Sequence, residues 1–237
     1  MQRSAPRGSV RNFVCGPVVR YRWTRDLRRD DDWERGSARA FASLPPPIAL
    51  PLASLVPAPE LFTHASRLHG QAHVARVMVH AFRLVAATGW TEEAPRLWAA
   101  VYLHDLARTH DGVCDRHGGD AMVKFETLPA VRGLFAQGGV MESDYAQIGT
   151  AVVHHCLSKE LESTHPHWRL TSLLKDADGL DRVRLGDLDQ RYLRHPQARE
   201  MVGYAQTLFA ETNGRIQVGS GHFTALWPEA VRILALR

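Results

Sequence analysis

The stretch VYLHDLARTHDG, Val101–Gly112, decides how this chain is read. A histidine and an aspartate, His104 and Asp105, stand side by side in a segment that is otherwise apolar. A carboxylate left unpaired in a core costs several kcal/mol, so the pair needs polar partners or a metal ion. Leu97, Ala100, Val101 and His104 fall on one stripe at helical spacing, which puts the pair on the buried face of a helix. The preceding GWTEEAP supplies a start signal, with Thr91 as N-cap, two glutamates in the first turn and a proline where proline is tolerated.

Working outward, Val74, Val77, Met78, Ala81 and Val85 form a second helical stripe. Further helices are expected at about 119–127, 142–157, 168–180, 196–211 and 225–236, broken by QGG, STHP, RHP and TNG. No segment shows sustained period-two alternation bounded by turns. The expected fold class is all-α, a helical bundle in one domain.

That domain is expected to span residues 61–237. Residues 1–60 hold ten arginines, eight of the thirteen prolines and none of the thirteen histidines, all of which lie from His64 onward. Proline lacks the amide donor and restricts its predecessor, so LPPPIALPLASLVPAPE reads as an extended linker after a poorly ordered charged arm. The formal charge is +4 with only three lysines among 29 basic residues, weak grounds for a nucleic-acid partner. No run approaches the roughly 18–20 apolar residues of a membrane span. Three widely spaced cysteines without CxxC point to a reducing compartment and a cytoplasmic location.

Partners for the pair lie on other helices. HGQAH puts His69 and His73 four residues apart, hence on one face, with His73 beside the apolar stripe. VVHHC offers His154 and His155, of which His155 continues the inward line of Tyr145, Ile148 and Val152. LLKDADGLDR carries Lys175, Asp176, Asp178 and Asp181, and His117 sits in the glycine-flanked DRHGGD. Imidazole nitrogen with carboxylate oxygen suits Mn, Fe, Co, Ni or Zn, and ligands converging from several helices are how all-α folds build metal sites.

The order His73, then His104-Asp105, then Asp178 resembles the HD-domain superfamily of metal-dependent phosphohydrolases. The resemblance runs from about Leu68 to Asp187 through HGQAHVARV, LWAAVYLHDLAR, HGGDA, IGTAVVHHC and LLKDADGLDRVRLGD. It implies metal ligation by His73, His104, Asp105 and Asp178. Where many members have a basic residue, this chain has Gly179. Some members bind a second metal through two extra histidines, and His117 and His155 hold the corresponding places in the order. One or two divalent ions are therefore implied, with Asp105 able to serve both.

Implied with the metal is hydrolysis of a small phosphorylated substrate, a nucleotide among the options, by metal-activated water. Arg76, Lys175 and Arg108 are the cations nearest in sequence to these ligands, and each is equally readable as a structural ion-pair partner. Asp176 is either a general base or a carboxylate fixing a ligand histidine. His69 reads as a further ligand or as a polar residue at the pocket rim in reach of substrate, His110 as lining the entrance or ending the helix, and His117 is alternatively a helix cap. A di-iron oxygenase on the same ligand set is the second reading, and a non-catalytic nucleotide-binding module the third. The glycine-tyrosine-proline motif of the cyclic-dinucleotide branch is absent after HHC.

Overall fold

The computed structural model describes residues 47–219 and 221–235, so the arm expected over the first forty-six residues lies outside it. The regular structure of the described residues is all helical, with no strand among them. The helices are α1 (Gln71–Thr88), α2 (Ala94–Leu103), α3 (His117–Glu126), α4 (Pro129–Gln137), α5 (Tyr145–His155), α6 (Trp168–Leu180), α7 (Pro196–Glu200), α8 (Val202–Thr212) and α9 (His222–Ala235).

Helix α1 is the centre of the bundle. Every residue from His73 to Leu84 is buried, so it carries no solvent face over three turns, and α2, α6 and α9 pack around it. It ends at Gly89, whose φ of 72° is the left-handed conformation that closes a helix. Helices α5 and α6 pack side by side and close the bundle against α2. Helix α3 crosses α5 closely, because a Cβ on Gly118 would lie 2.2 Å from the Val152 carbonyl oxygen. That glycine permits the contact that brings His117 towards the end of α5.

Several elements differ from expectation. The His104-Asp105 pair is not inside a helix: α2 stops at Leu103 and residues 104–107 form a turn, although the His104 amide still donates to the Ala100 carbonyl. Thr91 opens a short 3-10 turn, Thr91–Glu93, without a side-chain cap. The span expected as one helix over 196–211 bends at Met201, whose side chain is fully buried, to give α7 and α8. Helix α4 was not expected, because Val131 and Phe135 are its only buried positions. Phe135 earns that helix its place by meeting Trp98, Tyr102 and Phe125 with ring centroids 5.1, 5.4 and 5.4 Å away.

The boundary at residue 61 needs correction. Ile48, Leu55 and Val56 are buried in the core, the Trp98 indole donates to the Leu55 carbonyl at 2.9 Å, and the Gln71 amide donates to the Pro57 carbonyl at 3.0 Å. Proline denies this segment regular structure without denying it burial, so residues 47–60 pack on the helices. Leu55→Ala is accordingly expected to destabilise the protein by about 2–5 kcal/mol in urea unfolding, the range for a buried leucine. A surface linker would show no measurable change.

Candidate metal centre

The turn after α2 presents His104 and Asp105 to the bundle interior, where α1 contributes His73 and α6 contributes Asp178. His73 Nε2 lies 3.2 Å from His104 Nε2, 3.4 Å from Asp105 Oδ2 and 3.3 Å from Asp178 Oδ1. On the other side Asp105 Oδ1 lies 3.2 Å from His117 Nε2 and 3.9 Å from His155 Nε2. One carboxylate thus sits between two histidine pairs. His73, His104 and Asp105 form one group able to hold a metal ion, with ligand atoms all within 4.8 Å of one another, and His117, His155 and Cys156 form another.

The hydrogen bonds behind the rings fix what faces the centre. Nδ1 of His104, His117 and His155 lies 2.7, 2.9 and 2.5 Å from the carbonyl oxygens of Val101, Cys114 and Val152. A carbonyl only accepts, so each Nδ1 carries a hydrogen and each ring turns its Nε2 inward. His73 Nδ1 donates to Asp181 Oδ2 at 2.7 Å, and Arg76 holds that carboxylate through Nε at 2.5 Å and Nη2 at 2.9 Å.

The result crowds ring nitrogens against a carboxylate. His117 Nε2 and His155 Nε2 are 2.9 Å apart, with the Asp105 oxygen beside them. The Arg108 guanidinium lies 3.2 Å from both His117 ring nitrogens and 3.6 Å from Asp105 Oδ1. A cation among these atoms would take all three as ligands. The nitrogen and oxygen donor set therefore fits a metal ion.

Electrostatics agree. Burial pulls the His104 pKa down to about 4 and keeps that ring neutral. Burial also opposes charge on His73, as does Arg184, yet Asp105, Asp178 and Asp181 outweigh them and raise its pKa to about 9. Burial alone would raise the carboxyls of Asp105 and Asp178, but the neighbouring histidines hold both well below the usual range. Without an ion the carboxylates keep a proton on His73, and an ion takes its place. Uptake of a divalent ion near neutral pH is therefore expected to release about one proton, with affinity falling about tenfold per unit as pH drops below about 9. Calorimetry in buffers of different ionisation enthalpy measures this, and a proton count of zero would contradict the assignment.

The remaining expected residues divide. Lys175 shares with His155, Asp178, Arg182, Tyr192 and Arg194 the wall of a pocket of about 340 Å³. Asp176 is fully buried but engaged elsewhere, accepting from the amides of Arg194 and His195 and from the Arg194 side chain. It pins that segment, and neither a general base nor a partner for a ligand histidine is what its contacts describe. Arg76 locks Asp181 and leaves no free charge for substrate. His154 is half-buried away from the cluster, with Lys175, His165 and Lys159 as its charged neighbours. His69 Nδ1 bonds Asp111 at 3.1 Å and its ring stands 6.0 Å from that of His73, at the edge of the centre. His110 is exposed and accepts from the Gly112 amide.

Asp181, which the sequence does not set apart from its acidic neighbours, carries the contact that orients His73. Its signal was its place three residues after Asp178, one helical turn on. No protein-family model, no curated protein and no solved structure matches this chain. What can be said of its activity therefore rests on the residues themselves.

Among the described residues no helix is long and apolar enough to cross a membrane.

Proposed function

We propose that the chain is a metal-dependent phosphohydrolase of the HD-domain type, acting on a small phosphorylated substrate such as a nucleotide. The observation that carries this reading is the convergence of four Nε2 atoms and two carboxylates beside a pocket whose wall includes Lys175, Arg182 and Arg194. His73, His104, Asp105 and Asp178 would hold one divalent ion of Mn, Fe, Co, Ni or Zn, and Asp105, His117 and His155 a second. Bound there, such an ion acidifies water and polarises a phosphoryl oxygen.

The protein's own groups supply the rest. Asp178 and His155 are the candidate ligands that reach the pocket, so a substrate in the pocket meets the centre from that side. Lys175 lies three residues before Asp178 on α6, and so presents its charge on the same helix face. Fixed cations there neutralise charge that develops on phosphoryl oxygens. A pocket of about 340 Å³ admits a small molecule rather than a polymer. Cysteine usage is the ground for assigning the protein to the cytoplasm.

The test is metal analysis of protein purified with and without oxygen, followed by a phosphatase screen over nucleotides and sugar phosphates. Two ions are expected in the wild type and one in His117→Ala. A carboxylate flanked by two histidine pairs also suits a di-iron oxygenase. Oxygen consumption coupled to an organic substrate, with no phosphate release, would replace the hydrolase reading by that one.

A further inference from the structure

The connection between α5 and α6 carries Glu160, whose carboxylate lies on the same cations that line the pocket. Lys175 Nζ is 2.8 Å from Glu160 Oε1, and Arg194 closes a two-pronged contact through Nη2 at 2.6 Å and Nε at 3.0 Å. Three donors thus converge on two oxygens. The cations are the fixed members: Lys175 also donates to the Leu157 carbonyl at 2.8 Å, and Arg194 to Asp176 at 3.0 Å. Their side chains are 6% and 21% exposed, whereas that of Glu160 is 51% exposed on a segment without helix.

We propose that Lys175 and Arg194 form a subsite for the substrate's phosphate group, and that Glu160 occupies it in the resting protein and is displaced when substrate enters. A phosphate offers three oxygens and up to two charges where the carboxylate offers two oxygens and one, so the same donors favour the phosphate. Both cations share the pocket wall with Asp178 and His155, which puts the subsite against the metal centre. Arg182, paired with Asp187 on the same wall, is itself half exposed, whereas Lys175 and Arg194 are the cations held largely out of solvent. Glu160 then acts as a competitor built into the chain, which lowers affinity for product as well as substrate. The assignment of phosphate as ligand rests on the hydrolase reading above.

Inorganic phosphate is titrated calorimetrically into metal-loaded, full-length wild type, Glu160→Gln and the Glu160→Gln/Lys175→Met double variant. Glu160→Gln is expected to bind phosphate about tenfold more tightly than wild type, and the added Lys175→Met to abolish that gain. Unchanged affinity in a Glu160→Gln protein of wild-type melting temperature, or a gain that survives Lys175→Met, overturns the subsite. Should Glu160→Gln not fold, Glu160→Asp, one methylene too short to reach both cations, is expected to give a smaller gain. Failure of both to fold makes Glu160 a structural residue and likewise overturns the proposal. Tighter phosphate binding without any phosphatase activity would leave the subsite standing and remove the hydrolase reading. Hydrolysis with phosphate affinity indifferent to residue 160 would do the reverse.

Discussion

On the proposed hydrolase reading, Asp105→Ala protein is expected to lose metal binding and phosphatase activity together while keeping its helices. One oxygen of this carboxylate faces His73 and the other His117, so its removal takes a candidate ligand from beside both histidine pairs at once. Metal content should fall to near zero, and hydrolysis by at least about 10²–10³-fold, the loss that follows deletion of one strong electrostatic contact in an active site. Stability should move by no more than about 1–2 kcal/mol, since the truncation also removes a carboxylate that is costly to bury. Asp105→Asn keeps the shape and tests charge alone. Metal content equal to wild type in either variant would remove the metal-centre assignment.

Asp181→Ala is expected to show the largest stability loss of any single change at the centre. Arg76 is 5% exposed and owes its neutralisation to Asp181, and a buried charge left alone costs about 3–5 kcal/mol. The same change frees His73, whose Nδ1 loses its acceptor, so metal affinity should fall about 10–100-fold. The two effects can be separated. In Arg76→Met/Asp181→Leu both charges are gone and denaturant stability should largely return, while metal affinity stays low. If affinity returns as well, Asp181 acts only through Arg76 and does not orient the ligand.

The candidate cluster was legible in part, because burying a charged pair in an apolar segment demands partners, and His155 continues an apolar line while His73 lies beside one. Asp178 was singled out among its acidic neighbours only by the resemblance to HD-domain proteins. The orienting groups were not legible. Three of the four acceptors behind the rings are backbone carbonyls, which no residue identity reveals. Asp181 resembled any acidic residue until Arg76, more than a hundred positions earlier, was brought against it. Asp176, with an equal claim by spacing, proved to clamp the segment at Arg194 and His195. Residues 47–60 misled for another reason. Proline content reports on regular backbone, whereas Leu55 is placed by contacts with helices far along the chain.

The inward-facing rings of His117 and His155 also bear on how the molecule moves. Two ring nitrogens 2.9 Å apart beside a carboxylate are held there by the surrounding bundle, and an ion they shared would add to that hold. Chelated protein should relax there first, through sub-global opening of the chain from Cys114 to His117 and of the last turn of α5, while α1 stays closed. Backbone amides in those two places should exchange with deuterium far sooner than their depth implies, and should slow once divalent metal is restored. A bound ion would then serve as a tie between segments nearly forty residues apart, and metal supply would set lifetime against proteolysis.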